Sequence, residues 1–271
     1  MSPPSNKPIV LITGANQGLG YYAAQQMAST GYHVLVGSRD IKKAEKAIEQ
    51  LVADDSVKVS KENLESILID VNSDESIQQA AKTVEEKYGK LDIALFETIA
   101  NAHAGSQLMN NAGIALAQAA SEDGKGPTLR ELYQQHYNTN LFGAVVTTDV
   151  FLPLLRKSTA PGGKRIAFTS SGLSSLEMAE KEGMYSAANY VIYRSTKTAM
   201  SMILLHYAAI LDKEGFVVSA SDPGYCGTNL NGFAGFRDPR QGAVALVKAA
   251  IDPKDKVHGK VIDDEGTVEP W

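Results

Sequence analysis

The chain has 271 residues, of which 44% are hydrophobic and 21% charged, a balance typical of globular rather than disordered proteins. The formal net charge of −5 argues against nucleic acid as the main partner. The single cysteine excludes an internal disulfide and a cysteine-rich zinc site, and the five histidines form no HExxH pattern, so we predict no metal site.

The chain begins with residues 1–7, a polar and proline-rich segment that lacks the apolar core of a signal peptide. We predict that it is a flexible tail. No later stretch approaches the roughly 18 apolar residues of a membrane span. The sequence therefore predicts a cytoplasmic protein with no membrane contact.

Short apolar runs alternate along the chain with longer segments of helical period. The runs predict strands buried on both faces at 9–13, 33–37, 66–70, 165–170, 217–221 and, more weakly, 260–263. Helices are predicted near 18–30, 40–54, 73–88, 128–157, 188–213 and 239–251. With a fourth strand near 108, this alternation predicts one α/β domain over 8–266, followed by a C-terminal tail at 267–271. Its fold would be a Rossmann-type, doubly wound, mostly parallel seven-stranded sheet with helices on both faces.

The fourth strand is interrupted. Leu-Asp-Ile at 91–93 starts a strand, but Leu-Met-Asn-Asn-Ala-Gly at 108–113 follows only after an atypical insertion at 94–107. A central strand needs continuous backbone pairing, so we predict that residues 108–110 keep the register. The insertion should then bulge from the N-terminal end of the strand. A genuine loop and a retained intron in the gene model are both open.

A glycine-rich segment, Thr13-Gly-Ala-Asn-Gln-Gly-Leu-Gly20, lies between the first strand and the first helix. Its first glycine permits a tight turn, its second lets backbone amides approach a pyrophosphate, and its third allows close contact between helix and strand. The GxxxGxG spacing in this context predicts a dinucleotide-binding loop. The cofactor-binding positions in it are Gly14, Asn16, Gln17, Gly18, Leu19 and Gly20.

The end of the second strand is expected to select the cofactor. Enzymes that use NAD place an acidic residue there to bind the ribose 2′-hydroxyl, but here Ser38 and Arg39 stand at that point. A guanidinium pairs with a 2′-phosphate, so the pattern favours NADP(H). Asp40 leaves NAD open, because a shift of one residue would restore an acid. Asp70, after the third strand, either contacts the adenine or caps the next helix.

Tyr193 and Lys197 are four residues apart in a predicted helix and therefore share one face. A phenol beside an ammonium can donate a proton while the neighbouring charge stabilises the anion that is left. The pair predicts general acid–base chemistry.

Taken in chain order, these motifs resemble those of the short-chain dehydrogenase/reductase family, in its compact, single-domain, carbonyl-reductase-like branch. The resemblance covers nearly the whole chain. It rests on TGxxxGxG at 13–20, NNAG at 110–113, Asn140 in an NLFG segment, a serine-bearing strand end at 168–171, YxxxK at 193–197 and the Pro223-Gly224 pair.

The resemblance implies a role for each matching residue. Tyr193 would be the general acid in reduction or the base in oxidation, and Lys197 would bind the nicotinamide ribose. Ser171 would hold the substrate oxygen, with Ser170 as the competing serine, and Asn140 would anchor a water between Lys197 and solvent. Besides Tyr193 and Lys197, the remaining cofactor contacts that it implies are Val71, Asn111, Ala112, Gly113, Pro223, Gly224 and Thr228.

These roles predict hydride transfer between NADPH and a ketone or aldehyde to give an alcohol. Segments 173–192 and 225–238 should flank the pocket mouth, where their apolar and aromatic residues suit an apolar or aromatic carbonyl or alcohol substrate, or are ordinary loop packing. Two alternatives stay open: an impaired isoform or NADP-binding regulator, because of the insertion, and an NAD-linked alcohol dehydrogenase. A homo-oligomer is compatible with the sequence.

Overall fold

The computed structural model describes residues 7–91, 106–116, 125–158 and 162–271. Within these ranges, seven strands form one parallel sheet, in the order β3-β2-β1-β4-β5-β6-β7. The predicted doubly wound α/β fold is therefore confirmed. The strands are β1 (Ile9–Ile12), β2 (His33–Ser38), β3 (Leu64–Leu68), β4 (Ser106–Asn110), β5 (Lys164–Thr169), β6 (Phe216–Ser221) and β7 (Val261–Ile262).

Helices cover both faces of the sheet, and the strands divide their side chains between two apolar cores. Ile9 and Leu11 pack in one core with α3, α5 and α7, whereas Val10 and Ile12 pack in the other with α1, α2 and α8. The helices are α1 (Gly18–Ser29), α2 (Ile41–Ala53), α3 (Asp74–Tyr88), α4 (Leu129–Tyr137), α5 (Gly143–Arg156), α6 (Leu176–Ala179), α7 (Val191–Leu211), α8 (Pro239–Ile251) and α9 (Lys254–Val257).

The strand order reverses between β1 and β4, and this junction positions the site. The chain leaves β1 towards β2 on one side, and β4 continues the sheet on the other. The loops that follow the two strands therefore diverge and leave a crevice at the carboxyl edge of the sheet. The amide of Thr13 donates to the carbonyl of Met109 (3.1 Å), which holds the two strand ends together below that crevice.

The third strand begins two residues earlier than the predicted 66–70. It is the edge strand, and its pairing with β2 starts at Leu64 opposite Val34. The sequence pattern missed this start because Glu65 is charged and interrupts the apolar run. Its carboxylate accepts hydrogen bonds from Lys87 and from the Tyr88 hydroxyl, so a charged residue is tolerated within the strand.

Two predicted helices also differ in detail. The segment 128–157 is not one regular helix, because a π-helical turn (Asn138–Phe142) separates α4 from α5. Such turns add one residue to the helical repeat and are frequent at functional sites. The helix predicted at 188–213 begins only at Val191, because Tyr190 adopts the left-handed conformation (φ 55°), which cannot continue a right-handed helix.

The predicted register of the fourth strand is confirmed, whereas the predicted boundary of the insertion is wrong. Leu108 pairs with Leu11 on one side and Ile166 on the other. The strand begins at Ser106, so Ser106 and Gln107 belong to the sheet: Ser106 pairs with Lys164 of β5, and Gln107 pairs with both Val10 of β1 and Arg165 of β5. The rest of the insertion, 94–105, lies outside the described residues.

The structure describes the last residue of the predicted N-terminal tail and the whole of the predicted C-terminal tail. Residues 1–6 lie outside the described residues, while the Lys7 ammonium donates to Glu62 (2.9 Å) and Asn63 (2.7 Å). The C-terminal residues 267–271 lie against the domain. The Glu269 amide donates to Val261 of β7, and the carbonyl of Trp271 accepts from the Glu177 amide at the start of α6.

Gln107 is a polar residue in the centre of the sheet. Its side chain is fully buried beside the Tyr32 hydroxyl, and neither group makes a hydrogen bond of good geometry with the described residues. Burying an unpaired amide costs about 1–3 kcal/mol. We therefore expect Gln107→Leu to raise the free energy of unfolding by about 1 kcal/mol in urea denaturation.

Gln25→Leu is the matched control for this change. Gln25 is equally buried, but its amide donates to the Asp54 carboxylate (2.9 Å), so the same substitution there should destabilise the protein. A loss of stability in Gln107→Leu would show that the Gln107 amide has a partner in the folded chain.

Candidate active site

The glycine-rich loop folds as a tight turn that leads directly into α1. Gly14 (φ 64°) and Gly18 (φ 60°) adopt conformations that favour glycine, and a Cβ on Gly20 would collide with the Asn111 side-chain amide. Within the described residues, no side chain caps the N-terminus of α1. Its first backbone N–H groups are thus available to an anion, and the loop fits a dinucleotide pyrophosphate.

The NNAG turn is held against this loop by Thr13, the first residue of the TGxxxGxG motif, to which the sequence analysis assigned no role of its own. The hydroxyl of Thr13 accepts hydrogen bonds from the amides of Asn111 and Ala112 (3.0 Å each). The Asn111 side chain in turn donates to the Thr13 carbonyl (2.9 Å). These bonds fix the β4 turn beside the β1 turn. The only sequence signal for this role is that Thr13 immediately precedes the first glycine.

The end of β2 places an exposed arginine beside an acid that already has a structural role. Ser38 is buried, and its hydroxyl accepts from the Asp40 amide (3.2 Å). The Asp40 carboxylate accepts from the amides of Lys42 (3.0 Å) and Lys43 (3.4 Å), and so caps α2. Arg39 is exposed. The acid that could serve an NAD ribose is therefore occupied by the helix, while the guanidinium faces solvent.

The helix-capping alternative for Asp70 is wrong. Its carboxylate accepts from the Asn72 amide (3.0 Å) in a turn that precedes α3, and Ser73 caps that helix instead. Ser73 is the cap because its hydroxyl accepts a hydrogen bond from the amide of Ser76, three residues later. The neighbouring Val71 lies against the start of α5, where a Cβ on Gly143 would approach its carbonyl to 2.6 Å.

Lys197 lies in α7 and points towards the end of β5. Its ammonium donates to the carbonyl of Thr169 (2.7 Å) and lies 5.6 Å from the centre of the Tyr193 ring. The side chain is 4% exposed, and burial lowers the pKa of Lys197 to about 8. The lysine is therefore a buried cation whose charge is sensitive to moderately alkaline pH.

Tyr193 faces Ser171, which follows β5. A hydrogen bond joins the two hydroxyls, and burial, reinforced by the charge of Asp222, raises the pKa of Tyr193 well above its usual range. Ser170 differs: its hydroxyl is buried and has no hydrogen-bond partner among the described residues. The structure thus brings Ser171, and not Ser170, to the tyrosine.

Asn140 lies in the π-helical turn and is almost fully buried. Its side-chain oxygen accepts from the Ile114 amide (2.7 Å), and its nitrogen donates to the Ile114 carbonyl (2.9 Å) and the Thr196 hydroxyl (3.2 Å). A Cβ on Gly113 would lie 3.4 Å from Asn140 Oδ1 and 4.0 Å from Lys197 Nζ. Gly113 therefore lies between the Asn140 amide and the Lys197 ammonium.

The turn after β6 closes the other side of the cleft. Gly224 adopts a positive φ (71°), and Thr228 begins a short 3₁₀ turn at Asn229–Asn231. A Cβ on Gly18 would approach the Thr228 side chain to 3.7 Å, so the turn faces the glycine loop. A cavity of about 370 Å³ lies between them, and its lining includes Asn16, Gln17, Gly18, Tyr22, Thr228 and Phe233.

The two segments predicted to flank the mouth carry exposed apolar and aromatic side chains. Tyr225 and Phe236 stack edge to face, with ring centres 5.9 Å apart. Tyr190 and Phe233 have positive φ angles (55° and 63°), which non-glycine residues adopt at a cost of about 1 kcal/mol or more. The exposed members of the group are Leu176, Met184, Tyr190, Val191, Leu230, Phe233 and Phe236.

Two other residues near the tyrosine were missed by sequence analysis. Thr169 acts through its carbonyl, which no side-chain motif could indicate. Asp222 acts through a carboxylate that lies beside Tyr193, and its position directly before Pro223 was the available signal. Among the described residues, no group of three or more histidine, cysteine or acidic side chains is arranged to hold a metal ion. No helix in the described ranges is long and apolar enough to cross a membrane.

Comparison with known proteins places this geometry in context. A family model described as short chain dehydrogenase matches residues 8–235. The short-chain dehydrogenase anuI of Penicillium roqueforti is 43% identical over 267 residues, covering 97% of this chain and 96% of the relative. The short-chain dehydrogenase/reductase tropE of Talaromyces stipitatus is 33% identical, with 98% of this chain and 99% of the relative covered.

Solved structures agree on the fold. An NADPH-bound carbonyl reductase from chicken fatty liver superposes with a TM-score of 0.77 at 24% identity, covering 98% of this chain and all of that one. Salutaridine reductase from Papaver somniferum superposes with a TM-score of 0.73 at 21% identity, covering 94% of this chain and 99% of that one.

Proposed function

This chain belongs to the short-chain dehydrogenase family, and from that premise we propose that it reduces a ketone or aldehyde to an alcohol with NADPH. The observation that carries the proposal is the grouping of Ser171, Tyr193 and Lys197 at the carboxyl edge of the sheet, beside a loop that fits a dinucleotide. A hydroxyl pair with an adjacent cation suits reactions in which a carbonyl oxygen gains negative charge.

When bound, the nicotinamide cofactor supplies the hydride. The hydroxyls of Ser171 and Tyr193 would hold the carbonyl oxygen of the substrate, and Tyr193 would deliver the proton that completes the alcohol. Lys197 would bind the nicotinamide ribose and stabilise the tyrosinate that remains. Asn140, which two bonds to Ile114 hold rigidly, would anchor the water through which the proton is replaced.

The electrostatics favour reduction at neutral pH. The raised pKa of Tyr193 keeps its hydroxyl protonated, which is the state required of a proton donor. Lys197, with a pKa of about 8, is largely cationic at pH 7. Oxidation of an alcohol needs the tyrosinate as a base and should therefore require higher pH.

Arg39 supports NADPH rather than NADH. A 2′-phosphate at the end of β2 would meet a guanidinium that is exposed, while Asp40 is engaged as a helix cap. A charge-assisted hydrogen bond contributes about 1.5–3 kcal/mol, or roughly tenfold or more in affinity. We expect Arg39→Ala to raise the Kd of NADPH about tenfold or more and that of NADH by less than about twofold, as measured by cofactor fluorescence.

Lys46→Ala is the control for this prediction. Lys46 is an exposed cation in the middle of α2, so its replacement removes the same charge without touching the end of β2. Its effect on the Kd of NADPH should be small. Equal losses for NADPH and NADH in Arg39→Ala would mean that the arginine has a structural role only.

The mouth of the cleft supports an apolar or aromatic substrate. Exposed aromatic rings on both flanking segments can pack against a flat ring system of a substrate. Tyr225 and Phe236 already form an edge-to-face aromatic contact with each other. The test of the proposed function is NADPH oxidation at 340 nm with a panel of aromatic, cyclic and acyclic ketones and aldehydes. Turnover with at least one carbonyl is expected. NADPH binding without any turnover would favour a regulator, and faster alcohol oxidation with NAD would favour an NAD-linked dehydrogenase.

A further inference from the structure

A buried carboxylate that the proposed reaction does not use lies next to its catalytic groups. Asp222 follows β6 and is only 7% exposed. Its backbone amide donates to the Ile262 carbonyl of β7 (2.8 Å), so the residue is fixed to the sheet. An ionisable side chain in such a position is seldom retained without compensating contacts.

The carboxylate touches two turns that approach the site from opposite sides. Its Oδ1 atom accepts a hydrogen bond from the Gly224 amide (3.0 Å). Its Oδ2 atom lies 2.9 Å from the point that a Cβ on Gly172 would occupy. Gly172 directly follows Ser171, and Gly224 belongs to the turn that leads to Thr228. One side chain therefore spans the space between the serine turn and the Pro223-Gly224 turn.

The surroundings of Asp222 are mixed in charge. Burial raises the pKa of Asp222, while the amides of Gly224 and Gly172 and the cation of Arg237 oppose that rise. Asp222 in turn raises the pKa of Tyr193. The charged and titratable groups that face it from the surrounding elements are Arg237, Asp263, Glu269, Tyr185, Tyr193 and Cys226, with Asp264 paired to Arg237 and Lys181 near Glu269.

We propose that Asp222 is a positioning residue, which ties the Ser171-Gly172 turn to the Pro223-Gly224 turn and holds a negative charge beside Tyr193. The tie sets the distance between the Ser171 hydroxyl, which would hold the substrate oxygen, and the Pro223-Gly224 turn, which would face the nicotinamide. The charge favours the protonated form of the neighbouring Tyr193, which extends reduction to higher pH. This inference rests on the proposed function.

Asp222→Asn tests the charge, because it preserves the shape of the side chain and one oxygen acceptor. Because the other oxygen becomes an amide nitrogen, one of the two backbone hydrogen bonds, from Gly224 or from Gly172, is lost together with the charge. We expect kcat/KM for carbonyl reduction to fall about 10- to 100-fold, mostly in kcat, as for a small misplacement of reacting groups. The alkaline limb of the pH–rate profile should move to lower pH by about one unit, since a negative neighbour is lost. The Kd of NADPH should change by less than about threefold.

Asp54→Asn is the matched control. Asp54 accepts hydrogen bonds from Gln25 and Ser56 at the C-terminal end of α2, the opposite end of that helix from Arg39, and its replacement also removes one carboxylate. The kcat of Asp54→Asn and the alkaline limb of its pH–rate profile should match those of the unchanged protein. A purely structural role for Asp222 would lower the melting temperature of Asp222→Asn and leave the alkaline limb where it was, which would overturn the proposal.

Asp222→Ala tests the tie without turnover. Hydrogen–deuterium exchange should accelerate in peptides that cover 171–174 and 223–226, and not in those that cover α2. Unchanged exchange in either turn would overturn the tie. If the unchanged protein reduces no carbonyl while exchange accelerates in both turns, the proposed function fails and the tie stands, so the two failures are distinguishable.

Discussion

Tyr193→Phe should lower kcat for carbonyl reduction by about 10³-fold, because it removes only the hydroxyl that would donate the proton. General acid–base catalysis contributes about 10²- to 10⁴-fold in enzymes. The ring and its contact with Lys197 are retained, so the Kd of NADPH should change by less than about twofold. Stopped-flow or steady-state NADPH oxidation at 340 nm measures kcat, and cofactor fluorescence measures the Kd of NADPH on the same sample.

Tyr207→Phe is the control for the loss of a phenol from the same helix. The Tyr207 hydroxyl donates to Asp149 of α5 (2.6 Å), and the ring that stacks on Phe168 is retained, so this variant should lose some stability and keep its kcat. Activity of Tyr193→Phe within about tenfold of the unchanged protein would remove the hydroxyl from the mechanism.

Lys197→Met should weaken NADPH binding and lower kcat by at least about 100-fold, since the ammonium would serve both the ribose and the tyrosinate. The same change should leave the melting temperature unchanged or raise it. Burial lowers the pKa of Lys197 from 10.5 to about 8, which corresponds to a penalty on the order of 3 kcal/mol for holding the charge at pH 7. Methionine avoids that penalty, although the Thr169 carbonyl then loses its donor.

The pH dependence of this stability difference has a defined sign. Above about pH 8 the folded protein releases the lysine proton, while the unfolded chain keeps it until about pH 10.5. The unfolded state binds more protons in that window, so the unchanged protein gains stability relative to Lys197→Met as the pH rises from 8 towards 10.5. Urea denaturation of both proteins at pH 7.5 and pH 9.5 measures the difference. A marked destabilisation of Lys197→Met at both pH values would make Lys197 a structural residue.

Local patterns were sufficient for the buried strands and the chemical motifs. The strand at Ile9–Ile12 is apolar on both faces, and no tertiary detail is needed to place such a segment inside an α/β sheet. The turn at Gly14 and Gly18 is predictable from residue type, because it requires positive φ angles that favour glycine. The helical spacing of Tyr193 and Lys197 likewise brings them together before any packing is known.

Sequence patterns failed where a long-range partner decided the outcome. Glu65 is tolerated in β3 because Lys87 and Tyr88, at the end of α3, donate hydrogen bonds to its carboxylate. Ser106 joins β4 because it pairs with β5, and Gln107 joins it because β1 and β5 lie on either side, not because these residue types favour a strand. The π-helical turn at Asn140 depends on Ile114 and Thr196, which are distant in the chain.

The sequence by itself therefore determined the fold class, the nucleotide loop and the identity of the tyrosine–lysine pair, because each is set by residue type and short-range spacing. Only the tertiary structure decided which serine meets Tyr193, that Asp40 caps a helix and leaves Arg39 exposed, and that Asp222 lies between two turns. These outcomes depend on which groups are buried and paired after the strands assemble. The energy of a buried polar group comes from partners that the linear sequence does not place beside it.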